Sequence, residues 1–384
     1  MQKTRVAIVS VTNDLTTDQR VHRSCTTLVK AGFRVLLVGR QLSRSLPLKQ
    51  RNYQMHRMKL LFDRGPLFYA EYNIRLLLLL FGKSCDLLLS NDLDTLPANY
   101  VAFRLKNIFR KRTFRIPLVH DCHEYFRGVP ELSGRKGVTR IWKVLEDLIF
   151  PHLRFVIAVN QSVASLYHRE YGNKITVVRN VPFRKKILPA EAGTIPGIPS
   201  GYRIILYQGA VNVGRGLEEA ILAMQYLKTQ AILLIAGSGD ILEDLKRLVE
   251  RESLQNKVIL TGQIPFQELD SYTRAADIGL SIEKDVSLNY HYCLPNKFLD
   301  YIQANVPVLV SPFPEMKAIV ERYQIGEFLI SHDPPLLAGQ LDRMLGDEQK
   351  LQQYRSNLVS AASELNWESE EPRLMALLQN VDMG

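Results

Sequence analysis

The sequence predicts an α/β protein made of two doubly wound parallel-sheet domains facing a central cleft. Three observations point there: a length of 384 residues, an alternation of short apolar runs with longer amphipathic stretches, and one break in that alternation. A single core stops growing at ~250 to 300 residues, so the length favours two domains. Strands of a parallel sheet are covered on both faces and read as nearly unbroken Val, Ile and Leu runs with helices between them. In the first half such runs fall at Val6 to Val11, Val35 to Val38, Asp86 to Ser90, Pro117 to His120, Phe155 to Val159 and Ile175 to Val178. Asp18 to Ala31 reads as a helix ended by Gly32 as C-cap. Residues 187–201 (ILPAEAGTIPGIPSG) then combine three prolines and three glycines without periodicity, the composition of a linker. The alternation restarts with strands at Arg203 to Tyr207, Ala231 to Ala236, Val258 to Leu260, Ile278 to Ser281, Val306 to Val310 and Glu327 to Ile330. Helices Leu217 to Leu227, Ile241 to Glu252 and Asn296 to Ala304 lie among them. The expected organisation is a first domain over 1–186, a linker over 187–201 and a second domain over 202–365. A C-terminal helix over 366–384 is placed to pack back on the first domain. Ligands of open α/β sheets bind outside the carboxyl ends of the strands, so the site is expected where the two crevices meet.

Composition narrows the setting. Hydrophobic content of 46% and 23% charged residues suit a chain that folds throughout. Cys25, Cys85, Cys122 and Cys293 lie far apart with no C-x-x-C pair, so neither a zinc ribbon nor a disulfide framework is indicated and a reducing cytoplasm is expected. The opening MQKTRVAIVSVTND and the run Leu76 to Phe81 are both shorter than the ~20 residues of a membrane span. Charge is uneven. Residues 1–186 hold 33 Lys and Arg against 13 Asp and Glu, a balance of +20, while the rest hold 16 against 26, a balance of −10. Such asymmetry points to different partners for the two halves, one of them anionic. In the first half Arg104, Lys106, Arg110, Lys111, Arg112 and Arg115 stand next to Val101, Phe103, Leu105, Ile108 and Phe109. That mixture suits reversible docking on an anionic membrane surface, and the same spacing suits a helix with its apolar side on the sheet. A nucleic-acid partner is disfavoured, because the basic residues are dispersed and no aromatic platform accompanies them.

Three motifs carry chemistry. In RIILYQGAVNVGRGLEEAI, Gly209, Gly214 and Gly216 allow close backbone approach to a ligand, and Arg215 stands just before a helix start. A helix N-terminus and an arginine together suit a diphosphate. In AILLIAGSGD the triplet Gly237, Ser238 and Gly239 repeats the device after the next strand. In YHYCLPNKFLDYIQANVPVLVSP, Pro295 opens a helix with Asn296 and Lys297 in its first turn and Asp300 beyond. A lysine there opposes the helix dipole at a cost of a few tenths of a kcal/mol, which makes sense beside an anion; a solvent-facing pair with Asp300 is the alternative. In the first half HDCHEYF follows a strand. His120, Asp121, His123 and Glu124 are all possible metal ligands, but alternate strand residues diverge, so no metal site is expected. Asp92 and Asp94 form a D-x-D triplet expected to cap a helix from Thr95, and Asp18 and Arg20 either serve a similar loop or pair internally.

The order G-x(5)-RG, AGSG, LTGQIP, PNKFLDY and NVPVLVS resembles the retaining glycosyltransferases of group 1, or family 4. DLTTDQRVHRSCTTLVKAGFRVLLVGR, NDLDTLPAN, HDCHEYF and VVRNVP are similar to the acceptor domain of members that build bacterial surface polysaccharides. The resemblance covers nearly the whole chain. It implies the GT-B fold of two Rossmann-like domains, a nucleotide-sugar donor, and a glycan or lipid-linked acceptor. It implies an enzyme that needs no metal or other cofactor, while the cysteine usage and the basic first half place it in the cytoplasm, peripheral on the inner face of the membrane. Residue by residue, Arg215 matches the basic group on the donor diphosphate, and Gly209 and Gly237 match the glycine loops, with Gly216, Ser238 and Gly239 beside them. Ile264 falls where the backbone meets the base, and Asp300 matches the acid that binds the ribose. His123 matches the histidine that touches the transferred sugar, with Glu124 orienting it; Lys297 and Asn296 complete the set. Two positions depart from the family: Ala210 replaces a common second basic residue, and Tyr292 stands where a first glutamate is usual. The implied reaction needs no protein nucleophile, because the acceptor hydroxyl attacks on the face the nucleotide leaves and a β-phosphate oxygen takes its proton. Catalysis then rests on positioning and on stabilising the departing charge. The rival readings are a nucleotide-sugar epimerase of similar form and a non-catalytic membrane-associated scaffold.

Overall fold

The computed structural model describes residues 4–382 except 17, 44, 109, 111–114, 129–135, 186–194 and 196. Most of the expected linker, and Phe109, Lys111 and Arg112 of the basic segment, therefore lie outside the described residues. The chain forms two compact units, Met1–Asn180 with Glu370–Gly384, and Val181–Ser369. The first holds β1 (Arg5–Ser10), β2 (Phe33–Gln41), β3 (Gln54–Lys59), β4 (Leu87–Asn91), β5 (Leu118–Cys122), β6 (Phe155–Ala158) and β7 (Ile175–Val177). They form one parallel sheet in the order β3-β2-β1-β4-β5-β6-β7. The second holds β8 (Arg203–Gln208), β9 (Ala231–Ala236), β10 (Val258–Gly262), β11 (Ile278–Ser281), β12 (Val308–Val310) and β13 (Gly326–Phe328). Their order is β10-β9-β8-β11-β12-β13, again parallel. Both are doubly wound Rossmann-like sheets, each with its own hydrophobic core.

The central strands follow from composition. LLLSN of β4, LVHDC of β5 and AILLIA of β9 are buried along their whole length, as a sheet covered on both faces requires. Strand β3 differs. QMHRMK alternates exposed residues with partly buried ones and the buried Met58, and pairs with β2 alone, so it lacks the apolar run that marks the others and was not expected as a strand. Two helix ends also differ from expectation. The first helix, Gln19–Lys30, is capped by Ala31, whose N–H bonds the Thr27 carbonyl, with Gly32 following at φ +85. The helix from Leu217 closes at Ala223 rather than Leu227, as Met224, Gln225 and Tyr226 turn back on Ile221, Leu222 and Ala223.

In the first unit helix Gly65–Gly82 sets Phe68, Tyr72, Leu76 and Leu80 against the core. Its other side leaves Leu67, Ile74, Leu78 and Phe81 exposed. Neighbouring helices do the same: Val101 and Leu105 are exposed on Asp92–Asn107, and Ile141, Val144 and Leu148 on Lys136–Ile149. Ile108, just past the helix, is exposed too, whereas Phe103 is half-buried. No helix among the described residues is long and apolar enough to cross a membrane. The last helix, Trp367–Asp382, ties the chain end into the first unit: buried Glu370 takes Arg179 at 2.6 Å, and Glu371 takes Thr27 at 2.7 Å and Lys30 at 2.8 Å.

Candidate active site

The second sheet reverses its winding between β8 and β11, so the chain segments leaving their carboxyl ends diverge and open a crevice. Arg215 lies on the loop after β8, Glu283 two residues past β11, and Lys297 in the first turn of helix Asn296–Gln303. These three side chains meet. Lys297 Nζ lies 2.5 Å from Glu283 Oε1, and Arg215 Nη1 is 3.4 Å from the same oxygen. Lys297 is buried against Glu283, so it is not the solvent-facing lysine that the alternative reading envisaged. Burial pushes the Glu283 carboxyl up, but Lys297 and then Arg215 outweigh it and hold the carboxyl below its ordinary value. Burial works against the charge of Lys297, and Glu283 more than restores it. The site thus keeps two cations and one carboxylate ionised. Arg215 Nε is buried without a hydrogen-bond partner among the described residues, a donor of the kind a phosphate oxygen satisfies.

Around this cluster, Asp300 accepts from Gln208 Nε2 at 3.2 Å, and Gln208 is itself oriented by Thr273 Oγ1 at 2.7 Å. Asn296 and Ser238 are exposed, and Ile264 is half-buried on the loop after β10. The glycines divide into two kinds. Gly209, at φ +122, has nothing within 4 Å of where a Cβ would stand. A Cβ on Gly237 would lie 1.8 Å from the Gly209 carbonyl oxygen, one on Gly239 2.3 Å from the Val211 oxygen, and one on Gly216 2.5 Å from the Ile282 oxygen. Gly216, Gly237 and Gly239 are thus required for one loop to pass another, where ligand approach was the expected reason. Of these four, Gly209 alone keeps open space. Acidic residues also occupy the first turns of helices Leu217–Ala223 (Glu218, Glu219) and Leu242–Arg251 (Glu243, Asp244), whereas Asn296–Gln303 has none. Of these helix starts the last is best disposed to an anion.

The first unit builds a second polar cluster at the carboxyl ends of β4 and β5. His123 Nδ1 lies 3.2 Å from Asp92 Oδ2, and Nε2 lies 3.1 Å from Asn91 Oδ1 and 3.5 Å from Asp121 Oδ2. Burial lowers the imidazole's basicity, yet Asp92 and Asp121 overcome it and raise His123 to about 9, so the ring is cationic at neutral pH. Asp92 and Asp121 flank the ring, and Glu124 lies partly buried nearby; burial first, then Asp94 and Glu124, push Asp92 up to about 7 against the pull of His123. Asp92 and Asp94 do not precede a helix from Thr95, because the helix already begins at Asp92, which takes φ 56 and whose carboxylate accepts from the His123 N–H at 2.8 Å. Asp94 accepts from Thr12. Arg20 forms a buried two-pronged pair with Asp121 at 2.6 and 3.0 Å, while Asp18 caps its helix through the Val21 N–H. His120 turns inward to Ser90 at 2.9 Å. Among the described residues no group of three or more His, Cys, Asp or Glu is arranged to hold a metal ion. Glu283, Gln208 and Asp92 are the residues that reading the motifs missed as site members; the signal for Glu283 was its place at the head of a charged run, Glu283-Lys284-Asp285, just after an apolar strand.

Comparison with known proteins places the chain in a class. The family model described as Glycosyl transferases group 1 matches residues 191–361, and that described as Glycosyltransferase Family 4 matches residues 18–181. The chain belongs to the group 1 glycosyltransferases of GT-B fold. The chain is 25% identical over 263 residues to the alpha-monoglucosyldiacylglycerol synthase of Streptococcus pneumoniae, covering 64% of this chain and 58% of that one. Across three curated relatives it matches 42% to 64% of their length. Among solved structures, sucrose-phosphate synthase from Thermosynechococcus elongatus superposes with TM-score 0.77 at 19% identity, covering 99% of both chains. Anabaena HepE in complex with UDP and glucose gives 0.74 at 14% identity, covering 98% of this chain and 100% of that chain.

Proposed function

We propose that this protein transfers a sugar from a nucleotide-sugar donor to a hydroxyl of a glycan or lipid-linked acceptor, with retention at the anomeric carbon, in cell-surface polysaccharide synthesis. The observation that carries the reading is the meeting of Arg215 and Lys297 on one buried carboxylate at the winding reversal of the second sheet. Departure of a nucleoside diphosphate develops negative charge on a phosphate oxygen, and fixed cations in a partly water-excluded site stabilise it without reorganising. Helix Asn296–Gln303, with no acid in its first turn, adds its positive end. Gln208 holds Asp300, which accepts hydroxyls of the ribose; Ile264 meets the base with its backbone. His123, cationic and held by Asp92 and Asp121, donates to the transferred sugar. No residue is assigned as nucleophile or as metal ligand in this scheme. HepE was solved with UDP-glucose, which supports a donor of this kind.

We further propose that the first unit docks on an anionic membrane surface, where a lipid-linked acceptor resides. The support is the exposed apolar row on each of three adjacent helices, accompanied by Lys83, Arg104 and Arg140 on the surface. Large exposed apolar patches mark protein or membrane interaction sites. The test of the transfer reaction starts with purified protein and a thermal-shift screen over UDP, GDP, ADP and CMP, since a ligand of the native state raises its apparent stability. The matching nucleotide-sugar is then incubated with and without membrane lipid extract. Sugar transferred to lipid or glycan supports the reading, and full activity in excess EDTA supports metal independence. An isomerised donor formed without any acceptor would identify an epimerase, and no nucleotide binding at all would identify a scaffold.

A further inference from the structure

Glu283 is the most completely enclosed charged group of the donor cluster, with 0% side-chain exposure. Its carboxylate is fixed from several directions. Oε1 takes Lys297 at 2.5 Å and Arg215 at 3.4 Å, and Oε2 takes the Ser281 hydroxyl at 2.9 Å. The Glu283 carbonyl accepts from Ser311 Oγ at 2.5 Å, and the preceding Ile282 carbonyl lies 2.9 Å from His332 Nε2. Anchors therefore come from β11 itself, from the residue following its neighbour β12, and from a segment beyond β13. Each cation also rests on an aromatic face: the Arg215 guanidinium stands 4.5 Å from the Tyr290 ring and the Lys297 ammonium 4.5 Å from the Tyr207 ring. Two cations on different elements would repel each other if left alone in a buried site.

We propose that Glu283 is a positioning residue of the donor site, whose carboxylate holds Lys297 and Arg215 in register for the two phosphates of a nucleoside diphosphate and limits their combined charge so that the product can leave. This rests on the donor-site reading above. Arg215 and Lys297 with Glu283 carry one net positive charge; without the carboxylate they carry two. A diphosphate would then be held more strongly by charge alone, while the cations, no longer bridged, lose the geometry that favours the departing group. The inference separates binding from turnover, which a merely structural carboxylate would not do.

The experiment compares wild type, Glu283→Gln and Ser281→Ala by calorimetry with inorganic pyrophosphate, by steady-state kinetics with the nucleotide-sugar that wild type uses, and by thermal unfolding. For Glu283→Gln the expected result is pyrophosphate affinity raised about threefold or more while kcat falls at least about tenfold, the cost of misplaced catalytic groups. Ser281→Ala keeps the charge and frees one carboxylate oxygen, so kcat should fall about threefold to tenfold with pyrophosphate affinity unchanged. Affinity and kcat falling together in a folded Glu283→Gln protein would overturn the proposal, as would values within about twofold of wild type. If Glu283→Gln does not fold, Ser281→Ala decides: unchanged kcat overturns it, and a kcat loss at constant affinity upholds it. Absence of pyrophosphate and nucleotide binding in wild type would instead overturn the donor-site reading itself.

Discussion

Arg215 is bound loosely to its carboxylate and Lys297 tightly, 3.4 against 2.5 Å, so Arg215 is the cation freer to move onto a ligand. Arg215→Ala should remove a charge-assisted contact and reduce kcat/KM by ~2 to 3 kcal/mol of transition-state stabilisation while the protein stays folded. A kcat/KM within twofold of wild type would reject the phosphate role. Asp300 tests the other end of the donor. Asp300→Asn keeps size and the contact to Gln208 but removes the charge proposed to accept ribose hydroxyls, so nucleotide affinity should fall and pyrophosphate affinity should not. Equal loss for both ligands in calorimetry would make Asp300 a residue of the helix alone. His123 makes a pH prediction. Its folded value is raised above the ordinary ~6.5 for histidine, so its stabilising pairing, carried at low pH by Asp121 because burial pushes Asp92 up to about 7, is present below that value and is lost as pH rises through about 9. The stability difference between wild type and His123→Asn, measured by denaturant unfolding, should accordingly be largest near pH 6 and shrink toward pH 10. A difference that stays flat across that range would show that folding does not raise the ring's titration above its ordinary value.

At the scale of elements, the loops after β8 and β9 work as a pair. Gly237 gives its N–H to the Gly262 carbonyl at 2.8 Å and passes against Gly209, so neither loop has its shape alone. Gly237→Ala would drive a Cβ into backbone, which cannot yield as a flexible side chain can, and should destabilise the protein by about 3 kcal/mol or more, beyond the range of most single substitutions. Gly209→Ala meets no neighbour and should cost only about 1 to 2 kcal/mol of backbone strain, with its larger effect on donor binding. Equal midpoint shifts for the two variants in thermal unfolding would refute this division. Such divisions were out of reach of the motif itself, because GAVNVGRG and AGSG have the same composition whether a ligand or a neighbouring loop approaches them. The buried strands were legible, since β9 and β11 fall where their apolar runs do, and Pro295 marked the start of the next helix. Glu283 was not, because its meaning lies in Arg215, 68 residues away, and in Lys297 on a third element. Strand β3 escaped for a related reason: an edge strand paired on one side needs no apolar run.

At the scale of the whole molecule, the charge imbalance and the exposed apolar helices belong together. Residues 1–186 carry +20, and the helices with outward apolar rows all lie in that part of the chain. The expected docking segment was Val101 to Phe109. The structure widens the apolar surface, since Ile74, Leu78 and Phe81 on one helix and Ile141 and Leu148 on another are as exposed as Ile108. Their spacing of three, four or seven residues makes each row a single helical stripe, and the core-facing stripe of Gly65–Gly82 is apolar as well. A soluble helix with two apolar sides leaves one unpartnered. Lipid covers such a side well when basic residues flank it, each worth about 1 kcal/mol near anionic headgroups. Because exposed charges are screened over ~8 Å at physiological ionic strength, the charged part of this binding should fall steeply with salt. Flotation with anionic vesicles at low salt should therefore recover the protein in the lipid fraction, and added salt should release it. Leu78→Ser with Ile141→Ser, both at exposed positions, should reduce that recovery several-fold without lowering the unfolding temperature. Equal flotation with neutral and anionic vesicles, or none with either at low salt, would reject docking through this surface.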